Sequence, residues 1–138
     1  MRSTLLMLAV AALSPAVTRA GDLTVKIENV RSAQGSILAA LYDSDATYMK
    51  VSSARASFKI KATPGEVQYV FHDLAAGKYA LSVFHDENDN GRLDTNLVGI
   101  PKEGYGFSNS SGRRPPSFSV AAFEFDGTTR SITITLHY

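Results

Sequence analysis

The residues best placed to do chemistry lie in one acidic run, His85-Asp86-Glu87-Asn88-Asp89-Asn90-Gly91-Arg92-Leu93-Asp94. Asp86, Asn88 and Asn90 recur at every second residue, Gly91 follows, and Asp94 comes three later. Their side chains all carry oxygen, and calcium takes about six to eight oxygen ligands. A chain supplies ligands from alternate residues only by wrapping tightly round the ion. Gly91 permits that bend, the Arg92 backbone carbonyl can face inward, and Leu93 can turn toward the core as a clamp. The spacing predicts a calcium loop resembling the first half of an EF-hand, set between strands instead of helices. Counted from Asp86, the twelfth position is Leu97, where an EF-hand places a bidentate Glu. The missing oxygens must then come from Asp94, from water, or from a later carboxylate such as Glu103. So few formal charges predict an affinity of about 10⁻⁴–10⁻³ M. The competing reading is an Asx-rich turn without an ion, because Asn, Asp and Gly favour turns on their own.

Other chemistry is thin. Ser108 lacks the G-x-S-x-G setting of a hydrolase nucleophile. His72, His85 and His137 are scattered, and a lone histidine is more often a hydrogen-bonded structural residue than a ligand. Orienting the metal loop is the expected role of His85. The segment from Gly99 to Asn109 carries three glycines, a proline and the anchors Tyr105 and Phe107. It reads either as a loop packed over a sheet edge or as a recognition surface presenting Lys102, Glu103, Tyr105 and Asn109. No cysteine is present, which excludes disulfides, thiolate metal sites, iron–sulfur clusters and a cysteine nucleophile.

Strands must position that loop. Leu23, Val25 and Ile27 alternate with Thr24, Lys26 and Glu28, the period-two pattern of a strand buried on one face. The pattern repeats around Ile37 to Leu41, Ala56 to Ile60, Val67 to Phe71, Tyr79 to Val83, Phe118 to Phe125 and Ile132 to Leu136. Turn signals such as Pro64-Gly65 and Asp126-Gly127 separate several of them. Only Ser44 to Ala56 offers room for a short helix. About seven strands predict an all-β domain, a single antiparallel β-sandwich of immunoglobulin-like or transthyretin-like (prealbumin-like) type. Asp86 to Pro116 is expected to be one long functional loop.

The chain has 138 residues, with 14 Lys and Arg against 13 Asp and Glu, which fits one domain. Its net charge of +1 argues against nucleic acid as the main partner. Met1-Arg2-Ser3, the apolar run Thr4 to Leu13, the Ser14-Pro15 break and Thr18-Arg19-Ala20 read as a signal peptide over residues 1–20. The apolar run is too short for a membrane anchor. Cleavage before Gly21 leaves residues 21–138 as the sandwich, with 12 basic against 13 acidic side chains once Arg2 and Arg19 are gone. Without disulfides, the mature chain is expected in a bacterial periplasm or at the cell surface, with no stable membrane insertion.

Phe71-x-x-Leu74-x-x-Gly77-x-Tyr79, His85-Asp86-x-Asn88-x-Asn90-Gly91-x-x-Asp94 and Gly99-Ile100-Pro101-x-Glu103-Gly104-Tyr105-Gly106-Phe107-Ser108-Asn109 together resemble a family of small exported bacterial proteins. That family is known as a domain of unknown function (number 2141) and implies no activity. More distantly, the first of these motifs is similar to prealbumin-like sandwiches of bacterial surface adhesins and of carboxypeptidase regulatory regions. Some adhesin repeats carry a similar calcium loop. That resemblance implies Asp86, Asn88, Asn90, the Arg92 carbonyl and Asp94 as ligands, and matches no position to Glu103. The expected function is non-enzymatic: a calcium-binding envelope module that meets an envelope protein or glycan. The alternative is a metal-assisted hydrolase or lyase of envelope or extracellular polysaccharide, with His85, Asp94 and Glu103 around the ion.

Overall fold

The computed structural model describes residues 12–15 and 19–138. Most of the expected signal segment lies outside these residues. The alternating runs form strands as their periodicity requires: β1 (Ala20–Val30), β2 (Ser36–Tyr42), β3 (Ala56–Lys61), β4 (Gly65–Ala75) and β5 (Gly77–Asp86). Then come β6 (Tyr105–Phe107), a single helical turn α1 (Phe118–Ala121), β7 (Phe123–Phe125) and β8 (Arg130–Thr135). A three-stranded sheet runs β4-β1-β8 and a larger one runs β3-β2-β5-β6, with β7 pairing the start of β5. The two sheets enclose one apolar core, so the domain is an all-β sandwich.

Leu23, Val25 and Ile27 of β1 are fully buried and face Ile37, Leu41, Leu81 and Val83 from the other sheet. Phe58, Tyr69 and Phe71 stack and tilt against one another with centroids 4.1–5.6 Å apart, closing one side of the core. Among the described residues, no helix is long and apolar enough to cross a membrane.

The structure departs from the sequence pattern in three places. The stretch Phe118–Phe125 splits into α1 and the short β7. Phe118 turns to pack its ring on Tyr48, with centroids 5.8 Å apart, instead of continuing a strand. The expected long loop contains an eighth strand, β6, because Tyr105 and Phe107 pair with Phe84 and Ser82 of β5. The sandwich is also not wholly antiparallel, since β8 lies parallel to β1 from Leu23↔Arg130 to Glu28↔Thr135. The segment after β2 contains only a 3-10 turn, Val51–Ser53.

Candidate metal loop and its cleft

β5 ends at Asp86, which pairs with Ser36 of β2 and is fully buried. The strand thus delivers a carboxylate to the base of the loop, where it meets the loop's own backbone. Asp86 Oδ1 accepts the Asn90 N–H at 3.1 Å and Oδ2 accepts the Gly91 N–H at 2.7 Å. Gly91 takes φ +78°, the left-handed bend that glycine tolerates best. Asp89, also left-handed at φ 56°, turns its carboxylate outward to the Ser36 hydroxyl at 2.7 Å and to Lys59 at 3.3 Å.

Across the bend, three side chains converge. The Asn88 amide lies 2.6 Å from Asp94 Oδ2, and the Asn90 amide 2.9 Å from both Asp94 oxygens. The Arg92 N–H donates to Asn90 Oδ1 at 2.9 Å, so the chain winds round this cluster as the spacing requires. The Arg92 side chain is exposed. Amide oxygen and nitrogen exchange places by a half turn of the group. As they stand, Asn88 and Asn90 turn their NH₂ groups to Asp94 while their oxygens accept the Asn90 and Arg92 N–H groups, so the loop is closed by its own hydrogen bonds. A hard cation would take the Asp94 oxygens and the spare lone pairs of Asp86, and would gain the two amide oxygens only by exchanging these hydrogen bonds for coordination. Among the described residues no three His, Asp or Glu side chains gather as a metal cluster, so any ion here depends on amide and backbone oxygens.

Glu103 does something different. It is 5% exposed, and its oxygens accept the backbone N–H groups of Glu87 and Asp94, both at 2.9 Å. It therefore ties the entry of the loop to its exit. The loop is closed by a carboxylate brace from outside itself.

Glu103 also walls a polar cleft of about 560 Å³ with Arg31, Gln34, Glu87, Asn88, Asp94 and Lys102. Arg31, Gln34 and Tyr138 carry no motif, and only the fold brings them together. Arg31 pairs with Glu87 and lies over the Tyr138 ring at 4.3 Å. The Tyr138 hydroxyl meets His85 Nδ1 at 2.9 Å, while Nε2 meets the Gln34 carbonyl at 2.6 Å. A carbonyl only accepts, so Nε2 carries the proton and Nδ1 accepts from Tyr138. His85 is fully buried and holds the turn before β2 against the strand that feeds the loop. Of the residues expected on a recognition surface, Tyr105 is buried and donates its hydroxyl to the Arg113 carbonyl at 2.6 Å. Asn109 bonds the Ala122 carbonyl at 2.7 Å, which leaves Lys102 beside Glu103 at the cleft. Ser108 is buried and joins β5 to α1: its hydroxyl accepts the Leu81 N–H and donates to the Ala121 carbonyl.

Glu87, Asp89 and Asp94 are held ionised. Burial pushes the Glu87 carboxyl up, but the Arg31 guanidinium bound to it, with help from the Ser32 hydroxyl, brings it below the ordinary range. Hydrogen bonds from Asn90 and Asn88 lower Asp94, and the Ser36 bond lowers Asp89. Folding depresses these pKa values, so their contribution is present above the unfolded carboxylate range and is lost as pH falls through the folded values. Thermal midpoints should hold from neutral pH down to that range and drop below it. A midpoint that rises on acidification contradicts this assignment.

The family model described as "Uncharacterized protein conserved in bacteria (DUF2141)" matches residues 25–133. No curated protein matches the chain. Among solved structures, a fimbrial assembly protein from Parabacteroides distasonis ATCC 8503 aligns with a TM-score of 0.43 and 9% identity. The alignment covers 83% of this chain and 52% of that one, so the chain spans about half the neighbour's length. The family match takes in the core strands, the Asx loop and the Glu103 brace, and the chain belongs to the bacterial family DUF2141.

Proposed function

We propose that the protein is a non-enzymatic, calcium-stabilised β-sandwich of the bacterial envelope, periplasmic or at the cell surface. In this reading its Asx loop holds the ion and the adjoining cleft meets an envelope protein or glycan. The observation that carries it is the convergence of Asn88, Asn90 and Asp94 above the buried Asp86. In this reading calcium displaces the two amide NH₂ groups from Asp94, and the oxygens of Asp86, Asp94 and the turned amides join the Arg92 carbonyl and water as its ligands. Glu103 braces the loop through both oxygens and, like Asp86, keeps lone pairs beyond its two backbone bonds, so in this reading it can also serve as a ligand. The non-enzymatic reading is supported by how firmly the polar groups are committed. Both His85 nitrogens are bonded in the interior, and Glu87 and Asp94 are held as carboxylates. The signal-like first twenty residues support the envelope location.

The test is thermal unfolding in calcium, in magnesium and in chelator. An ion that binds only the folded state adds about 1.4 kcal/mol at ten times Kd. In a domain near this size that raises the midpoint by about 4–8 °C. Magnesium should do less, because it demands tighter octahedral geometry. Asp94→Asn should remove most of the calcium response. Equal midpoints in millimolar calcium and in chelator would falsify the calcium reading and leave a turn held by its own hydrogen bonds.

A further inference from the structure

The chain beyond the Asx loop runs out to an apolar point. Leu97, Val98 and Ile100 are 107%, 78% and 59% exposed. Single exposed apolar residues are ordinary, but three within four positions make a patch. No charged residue lies between Thr95 and Pro101. The point is also built. Thr95 and Pro101 bridge as an antiparallel pair, and the Lys102 N–H donates to the Asp94 carbonyl at 2.8 Å. Beyond that stem the Asn96 N–H donates to the Ile100 carbonyl at 2.8 Å and the Gly99 N–H to the Asn96 carbonyl at 3.0 Å. The Asn96 side-chain oxygen accepts the N–H groups of Val98 and Ile100, both at 3.0 Å.

Two features decide what this point meets. The first is its backbone. The N–H groups of Asn96, Val98, Gly99 and Ile100 all find acceptors inside the hairpin, although the segment is exposed. Water or the polar groups of a protein partner would supply those bonds from outside. Lipid does not, so a segment that enters it must bring its own. The second is charge. Asp94, on one leg, turns its carboxylate into the Asx loop toward Asn88 and Asn90. Lys102, on the other leg, is exposed. The charge presented at the foot of the hairpin is therefore positive, at the level where lipid phosphates would lie.

We propose that the hairpin from Thr95 to Pro101 docks the protein reversibly on a lipid surface, sinking Leu97, Val98 and Ile100 to the boundary between headgroups and acyl chains. The contact needs no ion in the Asx loop. Three short side chains offer less apolar surface than one myristoyl chain, whose association constant is about 10⁴ M⁻¹, so half-binding falls near ~1 mM lipid.

The probe is a phosphatidylcholine vesicle, mixed in chelator with the exported protein so that the outcome does not depend on calcium. Cosedimentation measures binding of the parent. Leu97→Ser should weaken it about tenfold, and Asn96→Ala, which keeps the apolar side chains but frees two N–H groups, about three- to tenfold. Both positions are exposed, so thermal midpoints should stay level. The chain contains no tryptophan, so Val98→Trp places a sole fluorophore at the tip. Its emission should shift to the blue on vesicles and be quenched by lipids brominated high on the acyl chain. Val120→Trp is the control: Val120 is 55% exposed in α1, which leads into β7 at the start of β5, whereas the hairpin follows its end. Its emission should not move. A parent that does not sediment with vesicles, Leu97→Ser binding as the parent does, or equal shifts at both reporters would each overturn the proposal. So would a blue shift that needs no lipid and grows with protein concentration, which would assign the point to a second copy of the chain.

Discussion

Glu103→Ala lowers the unfolding free energy by about 2–5 kcal/mol and frees the Asx loop at both ends. The carboxylate is 5% exposed and accepts two backbone N–H groups that have no other acceptor in the hydrogen-bond network, those of Glu87 and Asp94. Each donor left partly buried and unpaired costs about 1–3 kcal/mol, far more than a surface contact returns. Glu103→Gln keeps the volume but turns an –NH₂ toward one N–H, so it should recover less than half of the loss. Denaturant unfolding gives the energy, and amide exchange at residues 87 and 94 gives the location. An alanine variant within about 0.5 kcal/mol of the parent would show that the brace is decorative.

Gly35→Ala should cost about 2–5 kcal/mol and, on the calcium proposal, remove the response to the ion in the same step. Gly35 sits in the β1–β2 turn at φ +66°, and a Cβ there would lie 1.9 Å from the Asp86 carbonyl oxygen. The left-handed conformation costs an L-residue about 1–2 kcal/mol, and the clash is with backbone, which cannot swing aside as a side chain can. Relief requires moving Asp86, the residue that anchors the loop. Gly65 is the control: its φ of +94° carries strain, but a Cβ there meets nothing within 4 Å. Gly65→Ala should therefore cost only the strain and keep any response to calcium. Urea midpoints with and without calcium distinguish the two. Equal losses at both glycines would contradict the close approach to Asp86.

The alternating runs were readable because burial on one face of a strand imposes period two locally. Leu23, Val25, Ile27, Phe58, Phe71, Leu81 and Ile134 all enter the core as their spacing requires. The winding of the Asx loop was readable for the same reason, since its contacts lie within nine residues of chain. What escaped the pattern depends on partners far away in sequence. Phe118 had no local sign that Tyr48 would receive its ring. The role of Glu103 depends on backbone donors 16 and 9 residues back, and a lone Glu after a Lys carries no mark of that. Tyr105 and Phe107 looked like loop anchors until β5 gave them a ladder. Arg31 and Tyr138 meet only because β1 and the segment after β8 run side by side.

That last pairing governs how the chain reaches its fold. β1 is the central strand of its sheet, and one flank is closed only by β8, with Asn29 bonded to the Leu136 carbonyl 107 residues away. Non-local closure of this kind slows folding to about the millisecond-to-second range of all-β domains. Until residues 130–135 arrive, the antiparallel β4–β1 pair presents the Leu23–Glu28 edge unpaired. Such an intermediate is prone to pair with other chains. A nascent chain halted short of Arg130 is thus a client for a holdase and not a smaller folded domain.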